Sequence, residues 1–196
     1  MDLNIGSSAN YDVAQAPTIN VQRNHFDLSH RYMGTVDMDL CVPVFWLECY
    51  PGDTITVDSN LAMRLATPTW PIMDNVYADM HFFDIPMRQT WDNTRKFWGE
   101  QEDPGDSIDF TIPQMAATAS TGYAELSLFD YFGLPTKIPD YTHTALYIRG
   151  YQQCYNHWYR DQNITDSRTV STADGPDITI QAIKARFITH YFHPGS

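Results

Sequence analysis

Between residues 54 and 65 apolar side chains recur at alternate positions: Ile55, Val57, Leu61, Met63 and Leu65, with Thr54, Thr56, Asp58 and Asn60 between them. A period of two sends one set of side chains to one face of an extended backbone, so this segment reads as a half-buried strand, or two strands in phase. Such a strand needs neighbours for its N–H and C=O groups and a second layer for its apolar face. Residues 41–48 (CVPVFWLE) form a short apolar run ended by the Pro51-Gly52-Asp53 turn, a second strand. Residues 76–85 are a third strand, apolar on both faces through Met80, Phe82, Phe83 and Ile85 and stopped by Pro86. Thr67-Pro68 and Trp70-Pro71 bar regular ladder pairing between the last two.

Beyond Pro86 the pattern changes. Residues 91–98 read as a short helix with Trp91, Arg95 and Trp98 on one face and Gly99 at its C-terminal stop. Residues 127–132 read as another, with Ser127 and Asp130 at capping-box spacing and Gly133-x-Pro135 as the stop. The strongest helix spans 145–160. Tyr147, Tyr151, Cys154, Tyr155 and Trp158 make its apolar stripe, with Arg149, Gln152, Gln153, Asn156 and Arg160 opposite. After the Asp174-Gly175-Pro176 turn, residues 178–192 are β-like, and their apolar phase shifts from even to odd positions, which predicts a bulge. No strand is convincing between Pro86 and Ile178. The chain is thus mainly β with a helix-containing insertion at about 87–177, and long insertions of this kind lie on the surface and often carry function. Residues 1–23, rich in Asn, Ser, Ala and Gln, read as an N-terminal arm, and no secretory signal pattern is found there.

Composition narrows the function classes. Charged residues make up 18% of the 196 positions, against a usual ~25%. Aromatics reach 14%. Interface cores lose charge and gain Tyr, Trp and Phe, so this balance predicts surfaces that another chain covers. The net charge is -12, and no basic run is present to neutralise phosphates sequence-independently. No apolar run approaches the ~18 residues of a membrane helix.

Motifs for chemistry are sparse. Cys41, Cys49 and Cys154 are odd in number and unpatterned, which predicts buried free thiols rather than a disulfide framework or zinc site. Glu102, Asp103, Asp106 and Asp109 could in principle hold calcium, but Pro104-Gly105 and the absence of EF-hand spacing make this an ordinary solvated turn. The seven histidines are His25, His30, His81, His143, His157, His190 and His193. His190 and His193 lie three apart with no HExxH or CxxC nearby. Neither GxSxG nor a phosphate-binding glycine motif occurs. The stripe Tyr147, Tyr151, Tyr155 and Trp158 could stack bases or sugars. Its helical spacing favours core packing or a subunit interface. No catalytic, cofactor-binding or metal-binding residues are assigned, and no enzyme is expected.

Several strings, read in order, identify a family resemblance. They are Asn24-His25-Phe26-Asp27-Leu28-Ser29-His30, Pro51-Gly52-Asp53-Thr54, Arg64-Leu65-Ala66-Thr67-Pro68-x-x-Pro71-x-Met73-Asp74 and Phe82-Phe83-x-x-Pro86-x-Arg88-x-x-Trp91-x-Asn93 with Gly99-Glu100. Asp130-Tyr131-Phe132-Gly133-x-Pro135 and 155–163 (YNHWYRDQN) follow. Together they resemble the major capsid protein of the Microviridae, small icosahedral single-stranded-DNA phages, most closely the gokushovirus branch.

The resemblance implies a viral jelly roll, an antiparallel β-sandwich with long helix-containing loop insertions. It implies self-assembly into a T=1 icosahedral shell around circular single-stranded DNA. The implied partners are other copies of the chain, a minor spike or pilot protein, a small basic protein that condenses the genome, and the bacterial host surface, without membrane insertion. The implied location is the virion, with assembly in the host cytoplasm. Family members run to several hundred residues, so the resemblance further implies that residues 24–196 are a partial jelly-roll domain with open sheet edges. Two other readings fit an acidic, aromatic-rich β protein. A carbohydrate-binding, lectin-like β-sandwich predicts a shallow groove with two or three exposed Trp or Tyr in a row. A jelly-roll glycoside hydrolase predicts two carboxylates facing across a cleft.

Overall fold

In the computed structural model, residues 21–37, 40–107, 109–177 and 185–186 are described. The N-terminal arm reading for residues 1–20 and most of the β-like reading for 178–192 lie outside them, as do His190 and His193. The chain divides into two units, residues 1–31 and 32–196. In the first, residues 21–31 form no helix or strand and are exposed. Asp27 Oδ1 accepts hydrogen bonds there from the Ser29 N–H at 2.9 Å and the Ser29 hydroxyl at 2.5 Å. These two donors hold the Asp27 carboxyl below its ordinary range.

The second unit contains short elements. They are β1 (Leu40–Cys41), α1 (Met87–Thr90), α2 (Thr94–Phe97), β2 (Gln114–Ala116), α3 (Leu128–Tyr131), β3 (Thr142–Thr144), α4 (Leu146–Cys154), a π-helical turn (Tyr155–Tyr159) and β4 (Ala185–Arg186). β1 pairs antiparallel with β4, Leu40 opposite Arg186 and Cys41 opposite Ala185. β2 pairs antiparallel with β3, Met115 opposite His143. α4 packs against α1.

Four expectations are corrected. Of the expected strands 41–48, 54–65 and 76–85, only Cys41 pairs, in β1, and the remaining described residues form no ladder. Most of their apolar side chains stay exposed, for example Ile55 at 42% and Met63 at 66%, and none is buried. Alternation makes a segment competent for a strand, but pairing needs a neighbouring backbone, and none of the described residues supplies one. Second, a two-stranded ribbon does form inside the insertion. β2 and β3 are three residues each, too short for a period to register. Third, the helix expected over 91–98 is only α2 (Thr94–Phe97), with α1 (Met87–Thr90) ending just before Trp91. Trp91 between them is extended (φ -153°, ψ 120°) and fully buried, while Arg95 and Trp98 are exposed. Fourth, the buried face of α4 is the one expected to be solvated. Ala145, Ile148, Arg149 and Gln152 are buried, Tyr147, Tyr151, Cys154 and Tyr155 are half-buried, and Trp158 is 71% exposed.

The cap at α3 forms as its spacing predicts. The Ser127 hydroxyl oxygen accepts from the Asp130 N–H, and Asp130 Oδ2 accepts from the Leu126 N–H at 2.8 Å. The second bond holds Leu126 in a left-handed conformation (φ 56°). The core is one cluster of Met115, Ala117, Tyr123, Phe129, Ala145 and Ile148, flanked by Phe132, Leu134 and Tyr141. Tyr123 and Phe129 stack with centroids 4.1 Å apart.

Candidate functional site

Among the described residues, Arg149 makes a dense set of side-chain bonds from a fully buried position. Its Nε and Nη2 donate to Asp177 Oδ2 and Oδ1, both at 2.8 Å, in the parallel fork that fits a carboxylate. Nη1 donates to the Thr90 carbonyl and Nη2 to the Ala173 carbonyl, each at 3.0 Å. Around this clasp, Asn93 Nδ2 donates to Asp174 Oδ2 at 2.6 Å, and the Trp91 indole N–H donates to the other Asp174 oxygen. Asp92 and Thr172 bond twice, backbone N–H to carbonyl at 3.0 Å and hydroxyl to carboxylate at 2.8 Å. The Asp177 N–H reaches the Gln114 carbonyl at 3.0 Å, extending the β2–β3 ribbon. The segment 172–177 thus straps α1, α2, α4 and β2 together.

A second polar pair lies in the core. His143 Nδ1 is 2.8 Å from the Thr144 carbonyl and must carry a hydrogen, so in the neutral ring Nε2 accepts from the Tyr123 hydroxyl at 2.7 Å. Burial lowers the His143 pKa below its ordinary 6.5, against a smaller opposing effect of the Thr144 carbonyl. Burial, with Tyr141 nearby, lifts the Tyr123 hydroxyl to about 12. The unfolded chain therefore binds a proton at His143 before the folded chain does. Stability is full above pH 6.5 and falls as the pH drops through the lowered folded value. Chemical denaturation between pH 7.5 and 5 is expected to show this loss, and His143→Gln is expected to flatten it.

Outside the core lie two aromatic surfaces. In one, the Trp46 ring lies tilted against Tyr147, centroids 4.3 Å apart, and its indole N–H donates to the Phe132 carbonyl at 3.4 Å. Glu48 accepts from the hydroxyls of Tyr147 and Tyr50, the latter at 3.3 Å. Burial, then the Glu48 carboxylate, push the Tyr147 pKa well up. Tyr50 meets Trp98 edge-on at 6.4 Å, and Trp46, Tyr50 and Trp98 are exposed.

In the other, Phe83 lies 5.7 Å from Trp158 and 5.8 Å from Tyr159, with His81 6.1 Å from Tyr159. An open groove of about 370 Å³ runs beside them, lined by Phe83, Ile85, Cys154, His157 and Trp158, with Asp84, Gln89 and Gln153 as its amide and carboxylate groups. Trp158→Ala removes no buried packing and is expected to change stability by less than about 1 kcal/mol, measured by thermal melting.

The 155–163 string owes its residues to a local lock. Asn156 Oδ1 accepts from the Arg168 N–H and its Nδ2 donates to the Arg168 carbonyl, both at 2.8 Å. Arg160 Nη1 donates to the Thr165 carbonyl at 3.0 Å.

The thiols are not buried as expected: Cys49 is exposed and Cys41 and Cys154 are half-buried, and the latter two are poor nucleophiles. Burial, with Cys41 nearby, raises Cys154 to about 11. Burial also raises Cys41, more than hydrogen bonds from Tyr159 and Tyr151 lower it. A nucleophilic cysteine needs the opposite shift. In the 103–106 turn the Asp106 N–H donates to the Asp103 carbonyl and the Asp103 N–H donates to Asp106 Oδ2, and among the described residues no group of three or more His, Cys, Asp or Glu gathers to hold a metal ion. No helix among the described residues is long and apolar enough to cross a membrane.

Comparison with known proteins adds the wider frame. The model of the phage family described as capsid protein (F protein) matches residues 14–193. The capsid protein VP1 of Bdellovibrio phage phiMH2K is 38% identical over 193 residues, 97% of this chain and 36% of that protein. The capsid protein VP1 of Chlamydia phage 1 is 40% identical over 167 residues, 82% of this chain and 28% of that protein. The capsid protein VP1 of Spiroplasma virus 4 is 29% identical over 147 residues, covering 74% and 26%. The chain spans about a third of the length of these relatives or less.

Proposed function

The chain belongs to the capsid protein (F protein) family of phages, and from that premise we propose that it builds a virion shell as part of the major capsid subunit. The observation that carries this reading is the family match over residues 14–193. The family's role is structural rather than enzymatic.

In the finer reading, the fold is a jelly roll in which segments 41–48, 54–65 and 76–85 are sandwich strands and the region at about 87–177 is an insertion. The subunits close into a T=1 shell around circular single-stranded DNA, with assembly in the host cytoplasm. The exposed aromatic groups Trp46, Tyr50, Trp98 and Trp158 supply the kind of side chain that anchors subunit contacts. The net charge of -12 supports a separate small basic protein as the genome's counter-charge. A minor spike or pilot protein and the bacterial surface complete the set of proposed partners.

A chimera tests this reading. Residues 14–193 replace the matched region of the Chlamydia phage 1 capsid protein VP1, with that protein alone as the control. Closed particles in electron micrographs are the expected result. Soluble subunits without particles, under conditions where the control assembles, would overturn it. The lectin-like reading draws on the groove beside Trp158. It predicts saturable quenching of Trp158 fluorescence by simple sugars that is lost in Trp158→Phe, and an unchanged signal eliminates it.

A further inference from the structure

Residues 35–48 are tied to the helices by side chains that reach carbonyls far away in sequence. The Tyr131 hydroxyl donates to the Thr35 carbonyl and the Trp46 indole N–H to the Phe132 carbonyl, both at 3.4 Å. The Tyr151 hydroxyl donates to the Cys41 carbonyl at 2.7 Å, bridging 110 positions. The β1–β4 ladder beside it is two residues long. A single hydrogen bond adds little net stability, so a covalent link across this seam would change how firmly it holds.

Two thiols meet there. Cys41 lies on β1, and Cys154 ends α4 one turn after Tyr151, on the same helix face. The Tyr151 bond to the Cys41 backbone therefore brings β1 onto the face that carries Cys154. The Tyr159 hydroxyl, on the π-helical turn, hydrogen-bonds to the Cys41 thiol and lies within electrostatic reach of Cys154, as Cys41 itself does. Both thiols are free and half-buried. Cys49 is the contrast: it is exposed, and its thiol donates to the Leu47 carbonyl at 3.9 Å.

We propose that Cys41 and Cys154 are a redox pair whose intrachain disulfide clamps residues 35–48 to α4. The oxidant is a small disulfide, glutathione disulfide being the probe used below. One protein thiolate attacks a glutathione sulfur, the glutathione S–S bond breaks, and one glutathione thiolate leaves. The second protein thiolate attacks the protein sulfur of that mixed disulfide, and the second glutathione leaves. The protein pair loses two electrons, glutathione disulfide gains them, and the two thiol protons end on the released glutathione. Burial raises both protein thiols, so closure is slow. The same burial disfavours the thiolate that must leave when the bond is reduced, so the closed bond is long-lived. It closes a loop of roughly a hundred residues, a length at which a cross-link strongly restricts the unfolded chain. Reducing cytosol keeps such pairs open. On the capsid reading the clamp closes once a particle has left its host. Formation of the bond does not depend on that reading, so the chimera and the test below can fail separately.

The 196-residue chain is incubated folded with glutathione disulfide, digested without reductant and mapped by mass spectrometry. The expected product carries a bridge between the Cys41 and Cys154 peptides, with glutathione retained on Cys49 alone. Its melting temperature is expected to rise by about 5–10 °C and to return on reduction. Cys154→Ser is expected to leave glutathione on Cys41 and to abolish the rise. The parent chain needs no variant to decide the matter. Glutathione retained on both Cys41 and Cys154 overturns the proposal, as does a bridge to Cys49. So does a pair still reduced long after Cys49 is fully modified, or a bridge that forms only in urea. A Cys41–Cys154 bridge that leaves the melting temperature unchanged overturns the clamp.

Discussion

Arg149→Ala destabilises the second unit by about 3–5 kcal/mol, the usual result of removing one partner from a buried, hydrogen-bonded ion pair. The guanidinium is fully buried, and Asp177 is nearly so at 6%. Removing Arg149 leaves the Asp177 carboxylate without its cation. It also leaves the Thr90 and Ala173 carbonyls without these donors, and at Thr90, which is buried, an unsatisfied acceptor costs ~1–3 kcal/mol. Arg149→Lys recovers little, because an ammonium cannot make the parallel fork to Asp177 while reaching both carbonyls. Arg149→Met with Asp177→Leu recovers part of the loss, since it removes the stranded charge but not the orphaned carbonyls. Urea denaturation of the four proteins measures this order. Equal stability of Arg149→Ala and the parent would mean that the clasp carries no weight.

Gly122→Ala lowers stability by about 3 kcal/mol or more, for two independent reasons. Gly122 has φ 68°, a left-handed backbone that an alanine adopts only at a cost. A Cβ built there would lie 2.5 Å from both the N and the O of Ile138, backbone atoms that cannot rotate away. The turn at Gly122 is fixed on both sides. Its N–H donates to the Thr118 carbonyl at 2.9 Å, and the Lys137 N–H donates to the Tyr123 carbonyl at 3.0 Å. Relief therefore means moving the 136–138 strip and with it Tyr123, which stacks on Phe129 in the core. By contrast, no atom lies within 4 Å of a Cβ at Gly133. Gly133→Ala then costs only its positive φ of 79°, about 1–3 kcal/mol. Thermal melts of the two variants separate backbone strain from steric collision.

The family was legible early because its strings are individual residues in order, and several owe their residues to local geometry. Asn156 and Arg160 pin the loop that follows them, and Ser127 with Asp130 caps α3. These bonds span a few residues to a dozen, so the sequence pattern carries them. The orientation of α4 was not legible. Its apolar stripe pointed Tyr147, Tyr151 and Trp158 inward, yet the face with Arg149 and Gln152 is the buried one. An arginine reads as solvated until its partners are known, and those lie 28 residues away at Asp177 and 59 away at Thr90. Trp91 was placed on a helix face for a similar reason. Its burial depends on Asp174, 83 residues on, which takes its indole N–H.

Sequence by itself determined which segments could be helix or strand, where α3 is capped, and to which family the chain belongs, because each rests on spacing within a short window or on residue identity. Tertiary structure alone decided whether a strand-competent segment has a partner and which side of a helix is inside. Backbone pairing needs a second strand, and a buried charge is stable only when distant residues surround it. Neither condition is written in the segment itself. Residues 54–65 therefore join no ladder among the described residues and stay exposed despite their clean alternation, while Arg149, the residue a solvated face would carry, ties Thr90, Ala173 and Asp177 together.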